Sequence, residues 1–541
     1  MSKADTLLSI EGLTIGFAVR RKINTVVDHI SLEVKKGEIL GIVGESGSGK
    51  TVTGLAVMGL LPTSAIILSG RIHFLGKNLL TMEEKELRRL RGGEISMVFQ
   101  DSMTSFNPLL TIGAQVEEMI RLHSKHTREE YRALTLEALM EVGLTEALEI
   151  YNRYPHQLSG GMRQRAMIAM AMIAGPKLVI ADEPTTALDV TTQGKILQLL
   201  KKMNDKYGTS MVLISHDLKV IQSICDRAIV MKDGRIVESG MAKELFIHPK
   251  TKYTRQLVAS APVLFSKSNG EVKETSYNTH NEEQKEILTI EKLNVYYSEK
   301  AVGLFGKKGR KQVIKDVTIS VKQGETLGIV GESGSGKSTL AKAIVGLNKE
   351  IEGVININND DAKSRLVSMS KPQMVFQDPF GCLNPTKKIG WILEEPLKLQ
   401  TNLSKKERIA RVNEMIQQVG LTSEYLERYP FQLSGGQRQR AAIAAALIVK
   451  PKLVILDEPV SSLDVTIQAQ ILHLLKELQK KHNLTYIFIS HDLNVIFQMC
   501  NRVCVIYRGE IVEMKEAKEL LYRPQHEYTK ELLKSAMVLK T

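Results

Sequence analysis

One glycine-rich segment occurs twice in this 541-residue chain, at residues 44–51 and 331–338, and each copy follows an apolar, strand-like run. Both copies match the pattern G-x-x-x-x-G-K-[ST], in which glycines let successive backbone N–H groups point at phosphate oxygens. A helix that begins there adds the positive end of its dipole. The repeat therefore predicts two phosphate-binding loops, each between a strand and a helix, and two bound nucleotides.

The residues of these loops are the candidate nucleotide ligands. Lys50 and Lys337 can reach the outer phosphates of a nucleotide, and Thr51 and Ser338 can ligate magnesium. The two loops consist of Gly44, Glu45, Ser46, Gly47, Ser48, Gly49, Lys50 and Thr51, and of Gly331, Glu332, Ser333, Gly334, Ser335, Gly336, Lys337 and Ser338. One match to so short a pattern could arise by chance, but two matches after two strands argue against chance.

The repeat continues along the chain, and repeats define an architecture before any other feature. Four further segments recur in the same order: VFQD at 98–101 and 375–378, LSGG at 158–161 and 433–436, the Asp-Glu-Pro segment at 178–184 and 453–459, and ISHDL at 214–218 and 489–493. Lys50 to Gln100 spans 50 positions, whereas Lys337 to Gln377 spans 40. We place this difference near residues 69–93, in surface structure.

Five motifs in one order, twice, make each half resemble the nucleotide-binding domain of an ATP-binding cassette (ABC) protein. The resemblance implies an α/β fold with two tandem P-loop NTPase domains, at 1–262 and 287–541. Each would have a RecA-like parallel-sheet core, an antiparallel β subdomain and an α-helical subdomain. Alternation of strand 178–182, helix 191–206, strand 210–215 and helix 217–225 also predicts a parallel sheet with crossover helices. The polar stretch 263–286 is typical of a flexible linker.

The resemblance implies a role for each motif residue. The general base that polarises water, the histidine that senses the γ-phosphate and the Q-loop glutamine would be Glu183, His216 and Gln100, and Glu458, His491 and Gln377. The magnesium ligands would be Thr51, Gln100 and Asp182, and Ser338, Gln377 and Asp457. Because both halves keep every one of these residues, we expect both sites to hydrolyse ATP.

Three further predictions concern the nucleotide. The LSGG residues Ser159, Gly160 and Gly161, and Ser434, Gly435 and Gly436, would begin helices and bind phosphate. In the family each closes over the ATP of the other domain, so loop 44–51 would face 434–436 and loop 331–338 would face 159–161. Residues 187–189 and 462–464 resemble the D-loops that cross this interface. Phe17 and Tyr297 would stack on adenine, with Tyr296 as a neighbouring candidate.

Other segments resemble the oligopeptide, dipeptide and nickel importers of the family. These are the runs after the Q-loop, 99–108 and 376–385, and two tails with a Tyr-Thr pair, 248–255 and 523–529. Ser102, Phe106 and Cys382 depart from the usual pattern. Many members carry a cysteine-rich segment after the first tail, thought to hold an iron–sulfur cluster; residues 241–286 contain no cysteine, so no cluster is expected. Two ATPases in one chain resemble the fused subset, which includes peptide, glutathione and microcin importers.

The composition of the chain limits which partners it can have. No apolar run reaches the ~18 residues of a membrane-spanning helix, and the N-terminal residues do not resemble a signal peptide. We therefore expect a chain at the cytoplasmic face of the inner membrane, with ATP and Mg²⁺ as cofactors. Its partners would be two permease subunits and an extracytoplasmic solute-binding protein. The permeases would dock near residues 100–108 and 377–385. The apolar residues there are Phe99, Met103, Phe106, Leu109 and Leu110, and Phe376, Phe380, Leu383 and Trp391. Several are too apolar for a loop that only faces water, although some must be core, and we expect Phe106 to be part of the docking groove.

A net charge of +13 is compatible with nucleic acid or an anionic membrane. A lysine-rich solvated surface is the simpler interpretation, because the basic cluster 307–311 lacks interleaved aromatic residues. No nucleic acid partner is therefore expected. The alternative function is a soluble ABC protein of translation, of the ABC-F group, but that group carries a long charged helical linker that this chain lacks. A fused vitamin-importer ATPase is disfavoured by the tails.

Overall fold

The computed structural model describes residues 5–19, 22–185, 190–260, 285–298, 309–332, 334–357, 371–461 and 463–538. Most of the proposed linker, both D-loop positions 187–189 and 462, loop residue Ser333 and the basic residues Lys307 and Lys308 lie outside these ranges. The chain forms two compact units, one built mainly from Met1–Ala261 and the other from Pro262–Leu463 and Ile467–Ala536.

The first unit contains one antiparallel and one mostly parallel sheet. Its strands are β1 (Thr6–Val19), β2 (Lys22–Lys35), β3 (Ile39–Val43), β4 (Ala65–Phe74), β5 (Lys77–Asn78), β6 (Ile95–Val98), β7 (Leu178–Asp182), β8 (Ser210–Ser215), β9 (Arg227–Lys232) and β10 (Arg235–Met241). The antiparallel sheet has the order β2-β1-β4-β5, and the six-stranded sheet has the order β10-β9-β3-β8-β7-β6. Every residue of β3, β7 and β8 is buried, as expected for strands covered on both faces.

The helices of the first unit surround this sheet. They are α1 (Lys50–Met58), α2 (Glu84–Leu90), α3 (Ser102–Ser105), α4 (Ile112–His123), α5 (Arg128–Glu141), α6 (Ala147–Asn152), α7 (Gly160–Met172), α8 (Val190–Tyr207), α9 (Leu218–Ile224), α10 (Ala242–Ile247) and α11 (Lys252–Ser260). Thr127 and Glu130 form a capping box that begins α5. A single apolar core joins the helices α4–α7 to the face of the parallel sheet.

The second unit repeats this plan. Its strands are β11 (Glu286–Ser298), β12 (Arg310–Lys322), β13 (Thr326–Val330), β14 (Ile351–Ile357), β15 (Gln373–Val375), β16 (Leu453–Asp457), β17 (Thr485–Ile489), β18 (Arg502–Tyr507) and β19 (Glu510–Glu516). They form a three-stranded antiparallel sheet, β12-β11-β14, and a six-stranded sheet, β15-β16-β17-β13-β18-β19.

The helices of the second unit lie at matching positions. They are α12 (Lys337–Ile344), α13 (Pro379–Cys382), α14 (Ile389–Gln400), α15 (Lys405–Gln418), α16 (Gly435–Leu447), α17 (Val465–His482), α18 (Leu493–Met499), α19 (Ala517–Tyr522) and α20 (Glu527–Val538). Among the helices described in the two units, none has the length and apolar character needed to cross a bilayer.

The predicted α/β fold is confirmed in both units, including the parallel core and the antiparallel strands. Strands 178–182 and 210–215 lie where the sequence predicted them. In the first half, the segment around 69–93 contains β5 and α2. Helix α2 has no buried residue, whereas Ile72, Phe74 and Leu79 of the same segment lie in the core. The corresponding residues 358–370 of the second half lie outside the described ranges.

Candidate nucleotide site

The predicted site residues of each unit meet at one edge of its parallel sheet. In the first unit, loop 44–51 follows β3, His216 follows β8, Asp182 ends β7 and Gln100 lies just beyond β6. These four strands are parallel neighbours, so their carboxyl ends share an edge. That edge is where ligands bind in open α/β sheets. The second unit places its loop, His491, Asp457 and Gln377 after the equivalent strands β13, β17, β16 and β15.

The phosphate-binding loop is wrapped around its own lysine. Lys50 Nζ donates to the carbonyl oxygens of Gly44 and Glu45, both at 2.8 Å, and Lys337 makes the same two contacts in its loop. Gly49 has φ 95°, and a Cβ there would lie 2.8 Å from the Val26 carbonyl oxygen. Only glycine fits this position without strain. Burial lowers the pKa of the Lys50 ammonium.

A second observation supports phosphate as the ligand. Ser335 Oγ, inside the second loop, is buried and has no hydrogen-bond partner among the described residues. A buried hydroxyl without a partner costs free energy, about 1–3 kcal/mol, so such groups in native structures are usually satisfied by a ligand or water. The loop therefore has the composition and the unmet donor that a phosphate requires.

A hydroxyl and a carboxylate lie together where magnesium is expected. Thr51 Oγ1 donates to Asp182 Oδ1 at 3.1 Å, and Ser338 Oγ donates to Asp457 Oδ1 at 3.2 Å. Burial raises the pKa of Asp182 to about 6 and raises that of Asp457 as well. Oxygen donors of these two kinds are what Mg²⁺ prefers. A cation would offset the cost of burying these carboxylates, so the residues fit the ion.

The carboxylate of the candidate general base contacts a glutamine and a histidine in both units. Gln100 Nε2 donates to Glu183 Oε2 at 2.8 Å, while His216 Nδ1 lies 3.0 Å from Glu183 Oε1. In the second unit, Gln377 Nε2 donates to Glu458 Oε2 at 2.8 Å and His491 Nδ1 lies 3.2 Å from that oxygen. The base is thus oriented in both units by residues from two neighbouring strands.

The glutamate of each site shifts the pKa of the histidine beside it. Burial lowers the pKa of His216, but the hydrogen bond and charge of Glu183 raise it more, so the net shift is upward. The same balance raises the pKa of His491. Burial raises the pKa of Glu458, but the hydrogen bonds from His491 and Ser461 and the charges of His491 and Lys337 together lower it more, so the pKa lies below its usual value. The carboxylate therefore stays ionised, as a general base must be.

The backbone of the candidate general base has a positive φ angle in both units, in the left-handed region. Glu183 has φ 46° and Glu458 has φ 48°. A non-glycine residue there carries strain of about 1–3 kcal/mol, and such strain clusters at functional sites. The conformation is held because Glu183 N–H donates to Ile214 O and Glu458 N–H donates to Ile489 O, both at 2.9 Å. The sequence gives no direct signal of this conformation.

The LSGG segments begin helices, as predicted. Ser159 caps α7 by accepting from Met162 N–H, and Ser434 caps α16 by accepting from Gln437 N–H. Small residues are required here: a Cβ on Gly161 would lie 2.7 Å from Thr192 Cγ2, and one on Gly436 would lie 2.5 Å from Ile467 Cγ2. The segment therefore combines a helix N-terminus with the close approach of a neighbouring side chain.

The aromatic candidates differ in what they contact. The Tyr297 hydroxyl accepts from Asn348 Nδ2 at 3.3 Å and is hydrogen-bonded to Thr339 of α12, which lowers its pKa. The preceding residue, Tyr296, instead donates to Glu352 on β14 at 3.1 Å. Because successive side chains of a strand point to opposite faces, only Tyr297 turns toward the helix that follows the phosphate-binding loop. This orientation favours Tyr297 over Tyr296 as the residue that would stack on adenine. Phe17 occupies the matching strand position in the first unit.

One sequence-based interpretation is wrong. Phe106 and its counterpart Leu383 were expected in a permease-docking surface, but they are only 2% and 3% exposed and belong to the interior. Phe106 packs in the core that joins the helices to the sheet. Leu109, by contrast, is 81% exposed, and Leu110, Phe99 and Trp391 are also exposed. The exposed part of this surface is therefore smaller than predicted. The side chains of Met103 and Phe380 lie outside the described part of the chain.

Sequence reasoning missed one pair of residues near the site. Tyr253 and Tyr528, from the two tails, place their hydroxyls against the phosphate-binding loops of their own units. The sequence signal for this contact is the recurrence of Tyr-Thr in both tails.

Comparison with known proteins agrees with this geometry. A family model described as "ABC transporter" matches residues 27–186 and 314–461, and one described as "Oligopeptide/dipeptide transporter, C-terminal region" matches 237–286 and 512–541. The chain is similar to the "Peptidoglycan transport ATP-binding protein YejF" of Agrobacterium fabrum, with 43% identity over 98% of this chain and 96% of the relative. It is 39% identical to the "Glutathione import ATP-binding protein GsiA" of Salmonella choleraesuis, over 98% and 90% of the two chains.

A solved structure shares the fold over most of the chain. It is the complex of an archaeal ribosomal stalk protein with the archaeal ribosome recycling factor aABCE1, with a TM-score of 0.59 and 21% identity, covering 91% of this chain and 87% of the other. At this identity the likeness concerns the fold alone.

Proposed function

Because the chain belongs to the ABC transporter family, with two ATP-binding domains in one polypeptide, we propose that it is the ATP-hydrolysing subunit of an importer for peptides or a related small solute. The observation that supports this most directly is the duplicated geometry. Each unit holds a Glu–His–Gln group, an Asp–hydroxyl pair and a lysine-closed loop at the same sheet edge.

The phosphate-binding loops would bind the nucleotide. The backbone N–H groups of residues 44–51 and 331–338 would cradle the phosphates, and Lys50 and Lys337 would neutralise the outer ones. The helix N-termini at Ser159–Gly161 and Ser434–Gly436 would bind phosphate as well. Phe17 and Tyr297 would support the adenine ring by stacking.

Magnesium would be held by Thr51, Asp182 and Gln100, and by Ser338, Asp457 and Gln377. When bound, it neutralises charge on the phosphates that grows as the terminal phosphoryl group leaves. In each unit the hydroxyl and the carboxylate lie within hydrogen-bond distance of each other, which supports this assignment.

Two glutamates would act as general bases in ATP hydrolysis. Glu183 and Glu458 would each orient a water in line with the terminal phosphoryl group and accept its proton. His216 and His491 hold the carboxylate from one side and Gln100 and Gln377 from another. We infer that the histidine senses the terminal phosphate and that the glutamine reports nucleotide state to the membrane partners.

The names of the relatives and of the tail model support a class of transported solute. The relatives are named for peptidoglycan transport and glutathione import, and the tail model is named for oligopeptide and dipeptide transporters. Glutathione, peptides, metal chelates and nickel fit this range of names and resemblances. The partners would be two permeases and an extracytoplasmic binding protein, with the chain docked at the cytoplasmic face of the membrane. The alternative, a translation factor of the ABC-F group, has no support in the relatives described above.

The proposal is tested by replacing both bases. The double variant Glu183→Gln and Glu458→Gln should bind ATP as the wild type does, because binding uses the loops. Turnover should fall by about 10²–10⁴-fold, the usual contribution of a general base. Glu477→Gln is the matched control, because the exposed side chain of Glu477 pairs with that of His473 on α17. A double variant that hydrolyses ATP at the wild-type rate would refute the assignment.

A further inference from the structure

In both units a tyrosine of the C-terminal tail contacts the phosphate-binding loop. Glu45 N–H donates to the Tyr253 hydroxyl at 3.4 Å, and Glu332 N–H donates to the Tyr528 hydroxyl at 2.8 Å. Tyr253 is half-buried and Tyr528 is only 6% exposed. We propose that each tail is part of its nucleotide site, with Tyr253 and Tyr528 as positioning residues that set the conformation of the loop. This inference rests on the proposed function.

The tyrosine and the loop lysine act on opposite ends of one peptide group. The N–H of Glu332 binds Tyr528, and the carbonyl of the same peptide, Gly331 O, accepts from Lys337 Nζ at 2.8 Å. In a trans peptide these two groups point in opposite directions. The hydroxyl therefore orients the carbonyl that holds the lysine. The first unit repeats the arrangement with Tyr253, the Gly44–Glu45 peptide and Lys50.

Each tail is anchored by an acidic residue on the strand hairpin beside the loop. Glu238 of β10 accepts from Lys250 N–H at 2.8 Å and from Thr251 N–H at 3.0 Å. Glu513 of β19 accepts from Gln525 N–H and His526 N–H at the same two distances. In each unit the two bonded residues directly precede the tyrosine-bearing helix, so the glutamates fix where α11 and α20 begin.

The tyrosine rings are held by different neighbours in the two units. The Lys232 ammonium lies 4.8 Å above the ring of Tyr253. At the equivalent position of the second unit, Tyr507 stacks on Tyr528 with a centroid distance of 4.2 Å. A cation–π contact and an aromatic stack are chemically unlike, yet they leave the hydroxyl on the same loop N–H. The hydroxyl contact is therefore the shared feature of the two tails.

The hairpin itself also touches the loop. A Cβ on Gly44 would lie 2.2 Å from Met231 O, and a Cβ on Gly331 would lie 2.2 Å from Ile506 O. Gly509 N–H donates to Ser335 O at 3.1 Å. Loop, hairpin and tail thus form one packed group, and a change in the tail can reach the residues that bind phosphate. Preorganising a loop in its binding conformation raises affinity by lowering the cost of ordering it.

The test is removal of both hydroxyls. In the full chain, Tyr253→Phe with Tyr528→Phe should raise the Kd for a fluorescent ATP analogue, and the KM for ATP, by about two- to tenfold, the equivalent of one hydrogen bond. The kcat should change little, because the base and its partners are untouched. Of the two single variants, Tyr528→Phe should raise the Kd more than Tyr253→Phe does, because the hydrogen bond to Tyr528 is shorter.

A matched control separates positioning from loss of stability. Tyr151 donates to Glu117 and the buried Tyr486 donates to Leu475 O, both far along the chain from the loops. Tyr151→Phe with Tyr486→Phe should leave the Kd for ATP within twofold of the wild type. Glu238→Gln with Glu513→Gln, which weakens the anchors and keeps the tyrosines, should raise that Kd in the same direction as the Phe pair.

The outcomes distinguish the two proposals. A wild-type chain that neither binds nor hydrolyses ATP would refute the proposed function. A wild-type chain that does both, with a Phe pair of unchanged Kd and KM, would refute only the role of the tails. An equal loss of affinity in the Phe pair and the control pair would also refute it, because the effect would then be one of general stability.

Discussion

His491 Nδ1 lies 3.2 Å from a carboxylate oxygen of Glu458, and His216 stands in the same relation to Glu183 at 3.0 Å. Both carboxylates are largely buried, with 13% and 14% side-chain exposure. Each histidine comes from the strand next to the one that its glutamate follows. The pair therefore joins the candidate base to the neighbouring strand, β8 in the first unit and β17 in the second.

Loss of the histidines should impair chemistry rather than binding. His216→Ala with His491→Ala removes one of the two groups that orient each base, so kcat should fall by about tenfold or more. KM for ATP should change little, because the loops are intact. Steady-state ATPase assays measure both constants. His473→Ala, which breaks an exposed His–Glu pair on α17, is the control and should have no effect. A fall in ATP affinity with unchanged kcat would contradict this role.

The loop lysines should affect binding first. Lys50→Ala with Lys337→Ala removes the cation that closes each loop and leaves the carbonyl oxygens of Gly44 and Gly331 without their donor. A charge-assisted hydrogen bond contributes about 1.5–3 kcal/mol, so nucleotide affinity should fall by about ten- to a hundredfold or more. Equilibrium titration with an ATP analogue measures this. Lys195→Ala, in α8, serves as a lysine control. Unchanged affinity would mean that the lysine contacts no phosphate.

Two substitutions near the Q-loop should separate docking from folding. Leu109→Asp places a charge on a side chain that is 81% exposed, so the chain should fold and keep its basal ATPase. If the surface binds a permease, membrane recovery and solute-stimulated ATPase should be lost. Phe106→Asp instead buries a carboxylate in the core and should destabilise the first unit by several kcal/mol. Normal co-purification of the Leu109 variant with the permeases would exclude this surface.

The first tail should loosen in acid. Burial raises the pKa of Glu238, but the hydrogen bonds from Thr254, Lys250 and Thr251 together have the larger, opposite effect and lower the pKa to about 2. A carboxyl group with a depressed folded pKa stabilises the fold above its unfolded pKa, about 4.3, and loses that contribution as pH falls toward 2. Amide exchange at Lys250 and Thr251 should therefore lose protection between these pH values.

The control for the tail is Glu238→Gln. Its amide side chain does not titrate, so the change in protection over this pH range should disappear. Protection should also be weaker at neutral pH, because a neutral amide is a poorer acceptor for backbone N–H groups than a carboxylate. Wild-type protection that stays constant from pH 5 to pH 2 would show that Glu238 does not hold the tail.

Much of this protein followed from the sequence alone. Five repeated motifs predicted two domains of one fold, and the alternation of strands and helices predicted a parallel sheet with crossover helices. Such a sheet brings together residues far apart in the chain, because the carboxyl ends of neighbouring parallel strands meet in space. Family resemblance then supplied the roles, which no spacing could supply.

Only the tertiary structure decided which of the apolar residues after the Q-loop is buried and how the tails are used. Phe106 and Leu109 are three positions apart in one short segment, yet one is in the core and the other in solvent. Tyr253 reaches Glu45 across 208 positions and Tyr528 reaches Glu332 across 196. Burial and such contacts depend on which strand lies beside which. The order β10-β9-β3 brings the tail hairpin next to the loop, and local sequence patterns do not encode that order.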